Sequence, residues 1–219
     1  MDFAEFKKLA IKEFPDLTQD QLSKFEAMDA LYEDWNSKIN VISRKDIGGL
    51  YAHHVLHSLC IASYLRRECP EFHRKLVEGA SVLDLGTGGG FPGIPLAIMY
   101  PASKFTLCDS VNKKIIVASA VSESLGLANV TTVNARAESL GTRFDFVVSR
   151  AVASLEDFYP WVRGSYSDAI LYLKGGDVAE EIATMMGRNR MRKGSVHTWP
   201  VTKWLDDLYY DGKFVIHID

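Results

Sequence analysis

The chain has 219 residues, of which 47% are hydrophobic and 24% are charged, and its formal net charge is −3. This length supports one sizeable core and excludes two ordinary domains joined by a linker. A slightly acidic chain cannot hold nucleic acid by its overall charge, so any such contact must come from a local basic patch. The three cysteines form no CxxC pair and no His/Cys cluster, which predicts reduced thiols and no metal site.

The N-terminus carries charges throughout and lacks the apolar stretch of a signal peptide. No apolar run reaches the length that crosses a membrane. We therefore expect a soluble, cytoplasmic chain that acts as a single domain and as a monomer.

Residues 1–79 show helical periodicity, because apolar residues recur every three or four positions. Thr18 followed by Gln21 predicts a capping box at the start of the second helix. A further helix is predicted over Ile47–Arg67. This part of the chain is interpreted as an N-terminal helical cap on the rest.

From Ser81 onward, predicted strands alternate with predicted helices, which indicates a doubly wound α/β sheet covered on both faces. Two late strands have no clear helix between them, which suggests an antiparallel pair at one edge. The predicted strands are residues 82–86, 104–109, 129–135, 144–150, 169–176, 199–205 and 213–219, and the predicted helices are 94–100, 113–125, 155–162 and 179–186.

A glycine-rich turn follows the first strand and precedes a helix, with Gly86, Gly88 and Gly90 at its core. Glycines there permit a tight turn and a close approach of the main chain to a ligand. The pattern alone also suits a nicotinamide or flavin dehydrogenase, and such turns occur with no ligand at all.

Acidic residues near this turn favour S-adenosylmethionine over a dinucleotide. Asp84 lies two residues before the first glycine, where a carboxylate can pair with the ammonium of a methionine moiety but would repel a pyrophosphate. Phe91-Pro92 stands where a dinucleotide site needs small residues. Asp109 ends the next strand, 19 residues after Gly90, and can accept hydrogen bonds from both ribose hydroxyls. Asp109 alone would suit either cofactor, or could merely cap a helix.

Two longer blocks are more specific than the glycine turn: GFPGIPLAI at 90–98 and SRAVASL at 149–155. Together with HHVLHS at 53–58, CDS at 108–110 and NARAE at 134–138, they make the chain resemble the bacterial ribosomal RNA small subunit methyltransferase G family. The resemblance implies a class I Rossmann-like fold and methyl transfer from S-adenosylmethionine to N7 of a guanine in 16S ribosomal RNA of the small ribosomal subunit. The family often carries Asp where this chain has His57.

The resemblance also implies which residues surround the cofactor: Gly86, Phe91, Ala137, Glu138 and Arg150. Ala137 and Glu138 are expected to contact the adenine. Arg150 ends the fourth strand, where open α/β sheets bind ligands, and is the predicted catalytic residue. The alternative for Arg150 is an ordinary surface ion pair.

Guanine N7 carries a free lone pair, so its methylation needs no general base. In agreement, the chain has Ser149-Arg150-Ala151-Val152 where amine methyltransferases carry an NPPY-like tetrapeptide, and it has no cysteine at that site to attack a pyrimidine. Proximity and alignment would then supply most of the catalysis. The alternatives are a nicotinamide-dependent oxidoreductase and a catalytically idle RNA-binding or ribosome-assembly factor.

Local basic residues are the candidates for RNA contact. The nearest to the predicted cofactor are Lys113, Lys114 and Arg136, and a compact basic loop at 188–193 contains Arg188, Arg190, Arg192 and Lys193. Arg44, Lys45, Arg66 and Arg67 could add a second flank. His53, His54 and His57 lack a recognisable metal-ligand spacing and are interpreted as helix-surface or core-edge residues.

Overall fold

A computed structural model describes residues 1–43 and 46–219; the predicted flank residues Arg44 and Lys45 lie outside the described residues. Within that part of the chain, seven strands form one sheet in the order β3-β2-β1-β4-β5-β7-β6. The strands are β1 Ser81–Leu85, β2 Lys104–Asp109, β3 Val130–Asn134, β4 Phe144–Arg150, β5 Tyr166–Gly175, β6 Val196–Pro200 and β7 Lys213–Ile218.

The first five strands run parallel, and β7 inserts antiparallel between β5 and β6. This confirms the doubly wound α/β sheet with an antiparallel edge. The strand order reverses between β1 and β4, and such a switch point opens a crevice at the carboxyl ends of the strands. The predicted strand at 199–205 is wrong in position. In this region only Val196–Pro200 pairs with β7. Pro200 has no N–H to extend the ladder, and Val201–Lys203 forms a 3₁₀ turn.

Eight α-helices belong to the described residues. They are α1 Phe3–Glu13, α2 Gln19–Lys38, α3 His57–Glu68, α4 Pro70–Glu78, α5 Gly93–Met99, α6 Asn112–Ser124, α7 Leu155–Val162 and α8 Val178–Asn189. The capping box of α2 is confirmed, since Thr18 Oγ1 accepts from the Gln21 N–H and Gln21 Oε1 accepts from the Thr18 N–H. No helix among these residues combines the length and apolarity needed to cross a bilayer.

The single helix predicted over Ile47–Arg67 is divided. A 3₁₀ turn at Ile47–Gly49 leads into a π-helical segment at Leu50–Leu56, and α3 begins only at His57. Apolar periodicity over seven residues cannot distinguish a π-helix from an α-helix, whereas π-helical turns occur often at functional sites.

The two faces of the sheet are covered by different helices. One hydrophobic cluster joins α3, α5 and α6 to the sheet and includes Phe6, Phe25 and Leu56 of the N-terminal helices. The second cluster holds α7 and α8 against the opposite face. The helical cap therefore shares its core with the sheet, and this packing brings the π-helical segment to the carboxyl ends of the parallel strands.

Candidate cofactor cavity and active site

A cavity of about 490 Å³ opens at the carboxyl ends of β1, β2 and β4, within the size range of small-molecule sites. The glycine turn forms its floor. Its walls contain most of the predicted cofactor residues, namely Gly86, Gly88, Phe91, Asp109, Ala137, Glu138 and Arg150, together with the predicted RNA contacts Lys114 and Arg136.

The glycine turn depends on backbone conformations that favour glycine. Gly86 has φ +70°, and a Cβ atom there would overlap the side chain of Val152. Gly88 has φ +59°, and its N–H donates to Asp109 Oδ2 at 3.0 Å. Gly90, predicted to bind cofactor, is not part of the cavity wall: a Cβ atom there would overlap Ile94. Its role is to let α5 approach the turn.

Asp84, predicted to pair with a methionine ammonium, lies beneath the turn and does not line the cavity. Its side chain is fully buried, and Oδ2 accepts from Thr87 Oγ1 at 2.6 Å and from the Gly93 N–H at 2.7 Å. Burial raises the pKa of this carboxyl group to about 7. Asp84 therefore holds the turn in shape through Oδ2, and its contact with a methionine ammonium stays a prediction.

Asp109 lies at the end of β2 and lines the cavity, as predicted. Its side chain is only 7% exposed. Oδ1 accepts from the Val111 N–H at 2.8 Å and Oδ2 from Gly88, and each oxygen retains a lone pair for a ligand hydroxyl. The position is that of a ribose acceptor, a role that stays a prediction.

Further around the wall, a 3₁₀ turn at Ala137–Ser139 carries the predicted adenine contacts, with Trp161 also lining this side. The rim is basic. Lys114 Nζ lies 4.0 Å from Asp109 Oδ2, and exposed Arg136 precedes the 3₁₀ turn. Lys113 is exposed on α6 but does not reach the cavity wall.

Arg150 ends β4 and faces the cavity. Nη1 donates to the His53 carbonyl at 3.2 Å, Nη2 donates to His54 Nδ1 at 2.9 Å, and the guanidinium carbon lies 5.3 Å from the centre of the Phe91 ring. Among the described residues no carboxylate forms an ion pair with it. Burial lowers the pKa of Arg150 below its ordinary value.

This arrangement excludes the surface ion pair as an explanation for Arg150. A half-buried cation without a counter-ion is costly to the fold, and two of its five N–H donors are bound by neutral acceptors. Such a group is suited to an acceptor-rich or anionic ligand in the cavity.

Sequence reasoning missed the group behind Arg150. Asp46 Oδ2 lies 2.8 Å from His54 Nε2, and Asp46 Oδ1 contacts His53 Nδ1. The His53 ring in turn stacks on Tyr209, with centroids 3.7 Å apart. Two adjacent histidines gave a weak signal because no metal-ligand spacing accompanied them, and the relevant acid lies outside any helix.

His57 also turns inward. Its side chain is 7% exposed, and Nε2 has no hydrogen-bond partner within the described residues. Burial lowers the pKa of His57 well below its ordinary value, so the ring is neutral. The position lies behind the cavity wall, which agrees with a core-edge role.

None of the residues of the basic loop at 188–193 lines the cavity. Helix α8 starts beyond the carboxyl end of β5 and runs back for 12 residues, about 18 Å, toward the amino ends of the parallel strands. There β6 begins at Val196, which pairs with Ile218. Arg188 lies 3.3 Å from Glu156, while Arg190, Arg192 and Lys193 are exposed.

Replacing Gly86 by Ala should destabilise the fold and weaken binding of S-adenosylmethionine, the predicted cofactor, by at least about tenfold, equivalent to about 1.4 kcal/mol. The added methyl group meets both a left-handed backbone and the Val152 side chain. Gly126→Ala is the matched control, since Gly126 has φ +64° with no atom near its Cβ position. Calorimetric titration and urea unfolding measure both effects. Equal losses in the two variants would show that the turn accommodates the methyl group.

Replacing Asp84 by Asn should flatten the pH dependence of stability between pH 4 and 7. The folded-state pKa of about 7 exceeds the unfolded value of about 3.9, so the folded protein binds the proton more tightly. Ionisation of Asp84 therefore lowers the free energy of unfolding as pH rises toward 7, by on the order of 3 kcal/mol from pH 5 to 8, and the effect then levels off.

Urea unfolding at pH 5 and pH 8 measures this difference without cofactor. Asp211→Asn, at an exposed position, is the control and should keep the wild-type pH dependence. An Asp84→Asn variant that retains the same dependence would show that another group causes it.

Known proteins resemble this chain in sequence and in fold. A family model described as rRNA small subunit methyltransferase G matches residues 21–205. The Ribosomal RNA small subunit methyltransferase G of Christiangramia forsetii is 52% identical over 80% of this chain and 82% of its own. That of Bacteroides fragilis is 46% identical over 96% of this chain and 98% of its own.

Solved structures share the fold at low sequence identity. Magnesium protoporphyrin IX methyltransferase from Synechocystis with bound SAM has a TM-score of 0.58, with 15% identity over 93% of this chain and 98% of its own. A Thermus thermophilus 16S rRNA N2 G1207 methyltransferase, solved with AdoMet and guanosine, has a TM-score of 0.54, with 16% identity over 74% of this chain and 42% of its own. The predicted class I fold is confirmed. Because the family model covers most of the chain and close relatives span nearly all of it, the chain belongs to the rRNA small subunit methyltransferase G family.

Proposed function

We propose that the protein transfers a methyl group from S-adenosylmethionine to N7 of a guanine in 16S ribosomal RNA of the small subunit. Family membership supports the cofactor and the class of RNA. The observation that carries the choice of guanine N7 is the half-buried guanidinium of Arg150, which faces the cavity without a counter-ion.

The residues of the cavity fit S-adenosylmethionine. The turn at Gly86 and Gly88 leaves its floor free of side chains, and Asp109 offers carboxylate lone pairs at the end of β2. The turn at Ala137–Ser139 lies on the same wall, where an adenine could reach Glu138 or a backbone amide. When bound, this cofactor supplies an activated methyl group on a sulfonium.

Arg150 suits the acceptor edge of guanine better than an exocyclic amine. That edge presents two adjacent acceptors, O6 and N7, and arginine is the commonest side chain that recognises it. Donation from Arg150 to O6 alone would orient the base and leave the N7 lone pair free to attack. An amine nucleophile would need an acceptor for its proton, whereas Arg150 presents only donors.

Two basic regions could hold the RNA. The rim residues Lys114 and Arg136, with Lys113 on the adjoining helix, would meet phosphates beside the target nucleotide. The loop at 188–193 lies toward the amino ends of the parallel strands and would touch another part of the same RNA. An extended ribosomal RNA is large enough to reach both.

The chain is proposed to act as one domain and as a monomer. The N-terminal helices and the sheet share a hydrophobic cluster, and Arg150 at the end of β4 donates to His53 and His54 of the N-terminal part.

Methyl transfer from labelled S-adenosylmethionine to small subunits that lack the modification should yield 7-methylguanosine on nucleoside analysis. Arg150→Ala should reduce turnover by about 10²-fold or more, because the base edge loses its orienting donor. Arg150→Lys is the matched variant, since it keeps the charge but loses the forked donors, and should recover only part of the activity.

Label on another nucleoside would contradict the N7 assignment. No label, with cofactor binding intact, would favour a catalytically idle RNA-binding or ribosome-assembly factor. Near-normal turnover by Arg150→Ala would remove this residue from the mechanism.

Replacing Lys113, Lys114 and Arg136 by Gln should reduce the salt dependence of RNA binding by about two to three units of slope, because each phosphate contact contributes slightly less than one. The corresponding change of Arg188, Arg190, Arg192 and Lys193 tests the distant loop separately. Binding measured from low to high salt compares the two sets. An unchanged slope in the loop variant would remove the loop from the RNA interface.

A further inference from the structure

We propose that Asp46 and His54 are positioning residues that fix Arg150 in the cavity by locking the His54 ring in one tautomer. The inference rests on the proposed function only in taking Arg150 as the group that orients the base. Asp46 and His54 do not line the cavity, so their contribution passes through Arg150.

The two neighbours of the His54 ring demand the same proton arrangement. Asp46 Oδ2, 2.8 Å from Nε2, is an acceptor and therefore needs a hydrogen on Nε2. Arg150 Nη2, 2.9 Å from Nδ1, is always a donor and needs a lone pair on Nδ1. Only the neutral ring with its proton on Nε2 satisfies both.

A protonated His54 would place two positive groups in contact. Burial, with the adjacent Arg150, lowers the pKa of His54 to about 4, so the ring stays neutral at physiological pH. The opposite tautomer, with its proton on Nδ1, would direct a donor at a donor. The Asp46 carboxylate prevents this, much as a carboxylate orients a catalytic histidine elsewhere.

The backbone supports the same arrangement. The π-helical segment Leu50–Leu56 presents the His53 carbonyl to Arg150 Nη1 at 3.2 Å, next to the His54 ring. Gly49 precedes this segment, and a Cβ atom there would overlap the His53 ring. Asp46 binds both histidines, so one carboxylate holds both contacts that reach the guanidinium.

Amide side chains can separate the two halves of the contact. The amide oxygen of Asn reaches the position of His Nδ1 and can still accept from Arg150. The amide nitrogen of Gln reaches the position of Nε2 and can only replace the donor to Asp46. His54→Asn should therefore keep kcat within about tenfold of wild type, whereas His54→Gln and Asp46→Asn should each lower kcat by about 10²-fold.

The affinity for S-adenosylmethionine should fall much less than kcat in all three variants, because neither residue lines the cavity and both act only through Arg150. His73→Asn is the control for loss of a partly buried histidine elsewhere, since His73 Nδ1 contacts Tyr100 Oη at 3.0 Å, and it should keep wild-type kcat.

A double-mutant cycle tests the link itself. If Asp46 acts through the His54 tautomer, Asp46→Asn should lower kcat much less in the His54→Asn background than in wild type. Any loss of kcat that persists in that background measures the contribution of Asp46 through His53. An equal cost in both backgrounds would overturn the proposal, as would a His54→Asn variant no better than His54→Gln.

Nitrogen-15 NMR of the histidine ring gives a readout that does not depend on turnover. Wild-type His54 should carry its proton on Nε2, and Asp46→Asn should shift the population toward Nδ1. A wild-type ring protonated on Nδ1 would overturn the tautomer lock even if methyl transfer is normal. Conversely, an Nε2–H ring in a protein that does not methylate guanine N7 would leave the lock in place and reject the proposed function.

Discussion

The carboxylate of Asp84 joins three parts of the site at one point. It belongs to the central strand β1, and its Oδ2 binds both the glycine turn at Thr87 and the first N–H of helix α5 at Gly93. These two hydrogen bonds hold the turn against the end of the sheet, where its left-handed glycines form the cavity floor. Asp109, at the end of β2, also binds the turn, because its Oδ2 accepts from the Gly88 N–H. Two strand-end carboxylates thus organise a loop that has few side chains of its own to hold it.

Arg150 keeps its positive charge unneutralised because no carboxylate among the described residues contacts it. Asp84 is buried with a pKa near neutrality, and Asp46 is separated from the guanidinium by the His54 ring. The acceptors nearest to Arg150 are a carbonyl and an imidazole nitrogen, which bind the donors without neutralising the charge. The protein therefore keeps a cation available to a ligand while fixing its orientation, which is the preorganisation that makes a donor effective in a water-poor site.

Much of the architecture could be predicted from the sequence, because strands that alternate with helices leave a strong period change near residue 81, and the blocks GFPGIPLAI and SRAVASL indicate a family. Sequence patterns did not predict the features that depend on contacts between residues distant in the chain. The bonds of Asp84 to the turn were not predicted, because a carboxylate two residues before a glycine turn can face either a ligand or the loop's own N–H groups. The π-helical segment and the contact of Asp46 with His54 were missed, since neither leaves a periodic pattern.

The connection between β6 and β7, which contains Tyr209 and Tyr210, contacts the N-terminal π-helical segment and affects the order in which the protein folds during synthesis. Tyr209 stacks on His53, and Tyr210 Oη donates to the Ala52 carbonyl at 2.5 Å, across 158 positions of sequence. Strand β7, which follows these tyrosines, lies between β5 and β6. Contacts at such separation form late, because loop closure must precede them. A nascent chain on the ribosome can thus complete its glycine turn early, yet Tyr209 and Tyr210 reach the π-helical segment only when nearly the whole sequence has been synthesised.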